Sequence, residues 1–228
     1  MGTRRVLHSD PMKPASTFQC GLVSLRDLYA FARKHFENEE ALRLERTELG
    51  RQYSKIVDGI VSTIPDTEGF YLWGAYSEKG LWQNIYLGMA GYGAMKSLKK
   101  RIREELKDER CAIWRVVYTY DNLMAIRDRI HDGKYAASWK RAMRKSGTTH
   151  VAWVSAPNTP NENVRNVESD LIEALNPRAN LNRPAPPDHL QENAARIFAA
   201  FRKAIHLGRQ QRFPILPKGG LQPTEFLI

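Results

Sequence analysis

The sequence predicts an α+β protein, on three observations. An aromatic β-hairpin signal lies in mid-chain, helix-periodic segments flank it on both sides, and short β-rich stretches follow it. Alternation within strands and a three-to-four-residue apolar spacing within helices are the local patterns that separate the two element types.

Taken in order, residues 1–21 contain Pro11 and Pro14 and no apolar period, so a mobile tail is expected as far as Gly21. Ser24 is expected to cap a helix with apolar positions Leu25, Leu28, Phe31 and Phe36. A second helix is expected from about Glu39 to Thr63, striped by Leu42, Leu49, Tyr53, Ile56, Ile60 and Ile64 and stopped by Pro65. Together these make a helical extension over 22–65. Phe70–Tyr76 and Trp82–Gly88 read as two strands joined by the turn Ser77–Gly80. Gly91 and Gly93 break the chain before a basic helix from about Lys96 to Lys107.

Cys111–Tyr118 is β-branched and aromatic, Asp121 is placed to cap a helix to about His131, and Trp139–Lys145 is a basic segment compatible with a helix. Val151–Val154 is a further strand. Asn163–Leu175 is a helix, entered after a loop at Pro157 and Pro160. The central domain is therefore expected over 66–183, with about 111–150 as an insertion. Pro184, Pro186 and Pro187 mark a boundary. A last helix is expected from Asp188, closed by Gly208, within a C-terminal segment over 184–228.

The formal net charge is +10. That balance favours a polyanionic partner, nucleic acid first and an acidic membrane surface second. No apolar run approaches the roughly 20 residues of a membrane span, and the N-terminus lacks the apolar core of a secretory signal. A cytoplasmic location is expected. Cys20 and Cys111 are too few for a disulfide framework or a zinc site. The six histidines show no ligand spacing, and there is no phosphate-binding glycine loop and no serine nucleophile elbow.

Gly69-Phe70-Tyr71, Tyr86-Leu87-Gly88, Leu98-Lys99-Lys100-Arg101-Ile102 and Glu168-x-x-Leu171-Ile172-x-x-x-x-Pro177-x-x-Asn180 follow one another in that order. Their chemistry suits phosphodiester hydrolysis. A phenol, with its pKa of about 10, can hold or pass a proton. A guanidinium forks onto a phosphate. A single carboxylate, waters and substrate phosphate suffice for magnesium. Taken singly, Tyr71 and Tyr86 are equally strand aromatics, Arg101 part of a solvated helix face, and Glu168 a surface acid.

In series, these residues resemble the GIY-YIG nuclease family, over about Gly69 to Asn182. The resemblance implies a small central antiparallel β-sheet flanked by helices and a divalent-metal-dependent DNA endonuclease of restriction, defence or mobile-element type. It implies that Tyr71 and Tyr86 orient or deprotonate the attacking water, which of them is the base being open. It implies that Arg101 stabilises the scissile phosphate and that Asn180 orders the site or contacts the backbone. It further implies that Glu168 holds one Mg2+ or Mn2+ ion per active site. Double-stranded DNA is the expected partner and a homodimer is possible. Lys96, Lys99, Lys100, Arg103, Lys140, Arg141, Arg144 and Lys145 are the expected DNA-binding cations. The chain departs from the family at Met89, where many members are basic, and at Glu105, where several carry histidine. The alternatives are a binding module that has the fold without the chemistry, and a basic domain that meets an acidic protein.

Overall fold

A computed structural model describes residues 18–38, 41–42, 44–92, 97–107, 144–157, 159, 161–180 and 190–210. The expected elements at Cys111–Tyr118 and Asp121–His131 and the proline boundary lie outside these residues, as do most of Trp139–Lys145 and the C-terminal tail.

The fold is α+β. Four strands, β1 (Cys20–Ser24), β2 (Gly69–Tyr76), β3 (Trp82–Ala90) and β4 (His150–Ser155), form one antiparallel sheet in the order β1-β4-β2-β3. Five α-helices accompany it among the described residues: α1 (Arg26–Lys34), α2 (Glu48–Val61), α3 (Leu98–Lys107), α4 (Asn161–Leu175) and α5 (Glu192–Gln210).

Successive side chains of a strand point to opposite faces, and that splits the core in two. Tyr71, Trp73, Val151 and Trp153 face α1, α2 and α3, where Leu28, Val57, Leu98, Ile102 and Leu106 cover them. Phe70, Leu72, Ala152 and Val154 face α4 and α5, against Val164, Val167, Leu171, Ile197 and Phe201. β2 is buried along nearly its whole length because it lies between β4 and β3 with helices on both faces.

The hairpin register carries a β-bulge at Ile85 on β3, opposite the step from Trp73 to Gly74 on β2. Tyr86 lies opposite Trp73 and Asn84 opposite Gly74, so the bulge resets the alternation along β3. Tyr86 shares the face of Tyr71, while Asn84 and Trp82 turn to the face of α4 and α5. A bulge that re-aims side chains beside a polar cluster is a recurrent structural device.

Four expectations need correction. A tail is expected as far as Gly21, but Cys20 and Gly21 already belong to β1, which pairs with β4 from Cys20↔Val154 to Ser24↔His150. The pairing is supplied by β4, since the segment itself has no apolar alternation. Helix α2 begins at Glu48, not near Glu39. Thr47 caps it by accepting the Gly50 N–H at 2.9 Å, and Gly50 lies so close to Leu44 that a Cβ would fall 2.0 Å from the carbonyl oxygen. Helix α5 starts at Glu192 and not Asp188. Gly208 is buried inside it rather than closing it. Helix α1 begins one residue beyond Ser24's immediate neighbour, at Arg26, whose N–H donates to the Ser24 hydroxyl at 3.2 Å.

His150 opens β4 in a buried position, edge-on to Tyr76 and Trp82 with ring centroids 5.2 and 6.2 Å away. Burial lowers its pKa to about 4. In the unfolded chain a histidine titrates near 6.5, so the folded state refuses a proton that the unfolded state accepts. The full stability is present above about pH 6.5 and is lost as pH falls towards 4, by on the order of 3 kcal/mol. A His150→Phe variant, which retains the ring contacts, should show urea midpoints that vary less between pH 7 and pH 4.5 than the wild type's. Equal pH slopes for the two proteins would refute this account.

Candidate functional site

The site begins with the hairpin register. Tyr71 on β2 stands opposite Gly88 on β3. A Cβ at Gly88 would lie 2.4 Å from Cζ of Tyr71, so the glycine exists to let the phenol ring cross β3. Tyr86, one pair along on the same face, brings its ring centroid to 6.4 Å from that of Tyr71, tilted by 53°. The motif's second tyrosine and its glycine thus serve one purpose: they set two phenols side by side.

Helix α3 supplies the next layer. Its apolar stripe Leu98, Ile102 and Leu106 docks on the sheet, and Leu98 fits because Gly69 has no side chain; a Cβ there would sit 2.6 Å from Cδ1 of Leu98. Arg101 and Glu105 are one turn apart on this helix, the geometry in which side chains meet. Nη2 of Arg101 lies 3.0 Å from Oε1 of Glu105. The Tyr71 hydroxyl donates to that same oxygen at 2.8 Å, and Nε of Arg101 reaches the hydroxyl at 3.5 Å. Glu105 is 2% exposed, whereas the Arg101 side chain is 45% exposed. One edge of the guanidinium therefore closes a buried network and the rest faces solvent.

Burial, with Glu105 and Tyr86 adding to it, pushes the Tyr71 hydroxyl well above its ordinary pKa. Tyr71 therefore stays protonated at any physiological pH. Burial works against the Arg101 cation, but Tyr71 and Glu105 outweigh it and raise its pKa. Glu105 is the residue of this network whose role the sequence did not announce. Its signal was positional, because Leu98, Ile102 and Glu105 fall on one helical stripe, and an acid on a buried stripe needs partners.

Lys145 also requires correction. It was expected on a DNA-binding surface, yet it is buried, with Nζ 3.2 Å from the centroid of the Tyr86 ring. An ammonium so placed is held by the negative face of the ring. The loop that carries it is tied down twice: the Thr148 hydroxyl donates to the Lys145 carbonyl, and the Arg178 guanidinium donates to the carbonyl of Ser146.

The Asn-Pro-x-x-Asn stretch has a structural explanation. Asn176 takes a positive φ of 43° and ends α4, a conformation asparagine tolerates better than most residues. The chain then runs beside the edge strand β3. Asn180 accepts the Leu87 N–H at 2.8 Å and donates to the Leu87 carbonyl at 2.9 Å, while the Ala179 N–H donates to the Ile85 carbonyl. Asn180 thus satisfies the open edge of β3 between Tyr86 and Gly88, a backbone-ordering role.

Glu168 lies on α4, whose apolar residues pack against the opposite face of the sheet. Burial raises its carboxyl above the ordinary range, with Arg165 pulling the other way. No hydrogen bond or ion pair joins it to Tyr71, Tyr86 or Arg101 among the described residues. Of the remaining cations, Lys100 is exposed and 3.8 Å from Asp66, Arg103 pairs with Asp58 at 2.6 Å, and Lys99 is half-buried. Arg144 is exposed. Lys96, Lys140 and Arg141 lie outside the described residues.

No family model, curated protein or solved structure matches the chain. Among the described residues no helix is long and apolar enough to cross a membrane, and no group of three or more His, Cys, Asp or Glu side chains is set to hold a metal ion.

Proposed function

We propose that the chain is a magnesium-dependent DNA endonuclease of GIY-YIG type. The observation that carries this reading is the convergence of Tyr71, Tyr86 and Arg101, from three separate stretches of sequence, into one cluster, with the far edge of the Arg101 guanidinium open to solvent. Arg101 receives the scissile phosphate on that edge and opposes the charge that grows on its oxygens. Tyr71 holds its proton and, through Glu105, fixes the guanidinium in place. Tyr86, half-buried with the ammonium of Lys145 over its ring, is assigned to the attacking water.

In this reading Glu168 is the protein's ligand for magnesium. A lone half-buried carboxylate fits an ion that keeps most of its waters and takes the rest of its shell from phosphate. The ion would supply charge stabilisation and a more acidic water. The absence, among the described residues, of a hydrogen bond or ion pair between Glu168 and Tyr71, Tyr86 or Arg101 favours a second reading, a nucleic-acid-binding module without hydrolysis.

Nicking of supercoiled plasmid, with magnesium or with EDTA, separates the two. Arg101→Ala should lose about 10²–10³ in rate, the usual worth of a charge-stabilising donor. Lys99→Ala and Lys100→Ala should weaken binding and reduce the salt slope by about one each. Because Arg101 also neutralises buried Glu105, the rates should be compared well below the melting temperature of every variant. Equal losses in all three that recover at higher protein concentration would reduce Arg101 to one cation of a basic patch.

A further inference from the structure

On the face of the sheet opposite Tyr71 lies a groove that the endonuclease reading does not use. It has a volume of about 350 Å³ and runs between the hairpin end, the C-terminal end of α4 and the outer face of α5. Helix α5 presents Phe198, Arg202, His206 and Arg209 to it, at the spacing that puts residues on one helical face. Tyr76 and Trp82 form the opposing wall. The described residues that line it include no acid.

The Trp82 ring is fixed before any ligand arrives. Its Nε1–H donates to Oδ1 of Asn84 at 2.7 Å, and Asn84 in turn donates to the Leu175 carbonyl at 2.6 Å. Its edge meets Tyr76 at a centroid distance of 5.0 Å and an angle of 72°. It lies so close over Gly74 that a Cβ there would fall 2.1 Å from Cζ2. Arg209 is drawn in by a second glycine: Gly80 has a φ of 69°, and a Cβ on it would meet Nε of Arg209 at 3.3 Å. The Arg202 guanidinium lies 6.0 Å from the Phe198 ring. At the mouth, Leu81 is 58% exposed. The groove therefore combines a rigid aromatic wall, an apolar floor and two guanidinium groups, with no carboxylate among the described residues of its lining.

We propose that this groove binds one nucleotide of a single-stranded nucleic acid, the base against Trp82 and Phe198 and the flanking phosphate on Arg202 and Arg209. A base within a duplex has both faces stacked and cannot enter a cleft between a hairpin and a helix; an unstacked base can. The formal charge of +10 makes a polyanion the favoured partner. Flat, pre-set rings beside guanidinium groups suit a base and phosphate better than the carboxylate side chains of an acidic peptide, which carry no aromatic ring to stack. The inference is independent of hydrolysis and sits on the other face of the sheet from Tyr86.

The test is fluorescence anisotropy of a fluorescein-labelled single-stranded oligothymidylate, in EDTA so that no cleavage intervenes, against an abasic phosphodiester of equal length. The oligothymidylate should bind about 10-fold more tightly than the abasic strand, within the range of one base stacked on an aromatic ring. Trp82→Leu should erase that preference, and Trp82→Phe should retain most of it. Arg202→Gln with Arg209→Gln, both exposed positions, should weaken both strands about 10-fold without lowering the melting temperature. That double variant carries the test if Trp82→Leu does not fold. Equal binding of the abasic strand, unchanged binding by the arginine variant, or equal competition by polyglutamate or by phosphatidylglycerol vesicles would overturn the assignment. Failure of the wild type to nick plasmid would bear on the endonuclease reading and leave this result standing.

Discussion

Purified Glu168→Gln should bind duplex DNA as the wild type does and leave plasmid uncut in magnesium. The amide keeps the shape of the carboxyl and loses the negative charge that a hard cation needs. The same variant should also be the more stable protein at neutral pH. Burial raises the Glu168 pKa, so the folded chain keeps this proton to a higher pH than the unfolded chain does, where the value is about 4.3. Stability therefore declines as pH rises through that interval, and the ionised, poorly solvated carboxylate remains a cost above it. Glutamine has no such cost, so its advantage should be present at pH 7.5 and vanish at pH 4. Plasmid nicking, anisotropy on a labelled duplex and thermal melting at the two pH values measure the three parts. Nicking at the wild-type rate would remove Glu168 from the chemistry. A variant that melts lower at pH 7.5 would mean the carboxylate holds the fold together instead.

The two tyrosines should part company. Tyr86→Phe is expected to melt like the wild type and to lose about 10²–10⁴ in rate, the range for a positioned proton-transfer group. Tyr71→Phe should show the reverse balance. Its hydroxyl donates to the buried Glu105 carboxyl, and a buried acceptor that loses a donor costs about 1–3 kcal/mol. At this chain length that is a fall of roughly 2–12 °C in melting temperature, and the rate should drop less than in Tyr86→Phe. Glu105→Gln offers a control, since glutamine can still accept from the Tyr71 hydroxyl and should recover more stability than Glu105→Ala. Normal melting by Tyr71→Phe would contradict the network. Wild-type turnover in both phenylalanine variants would return both rings to the core.

The hairpin, the helix that carries Arg101 and the helix that carries Glu168 were all legible from residue order. Aromatic alternation on each side of Ser77–Gly80 and the apolar stripe of α3 are decided within a few residues of chain, and the α+β class follows from them. The grouping of Tyr71, Tyr86 and Arg101 was legible too, but only as a motif. What each does was not.

Three kinds of feature were hidden. Strand β1 lacks apolar alternation of its own and exists because β4 offers it an edge, with Gly21 making room for the Trp153 ring. The true start of α2 depends on Thr47 and on a contact between Gly50 and Leu44, not on the apolar stripe that extends upstream to Leu42. Lys145 reads as a surface cation and Glu105 only as a departure from a motif, and both are buried, each against a tyrosine.

Local sequence determined the hairpin, β4 and the existence of most helices, because backbone propensity and side-chain periodicity act over single turns and pleats. Only the tertiary structure decided which charges are buried and which face each strand residue takes beyond the bulge. Burial is set by residues distant in sequence, and one extra residue at Ile85 reverses the alternation for everything before it on β3.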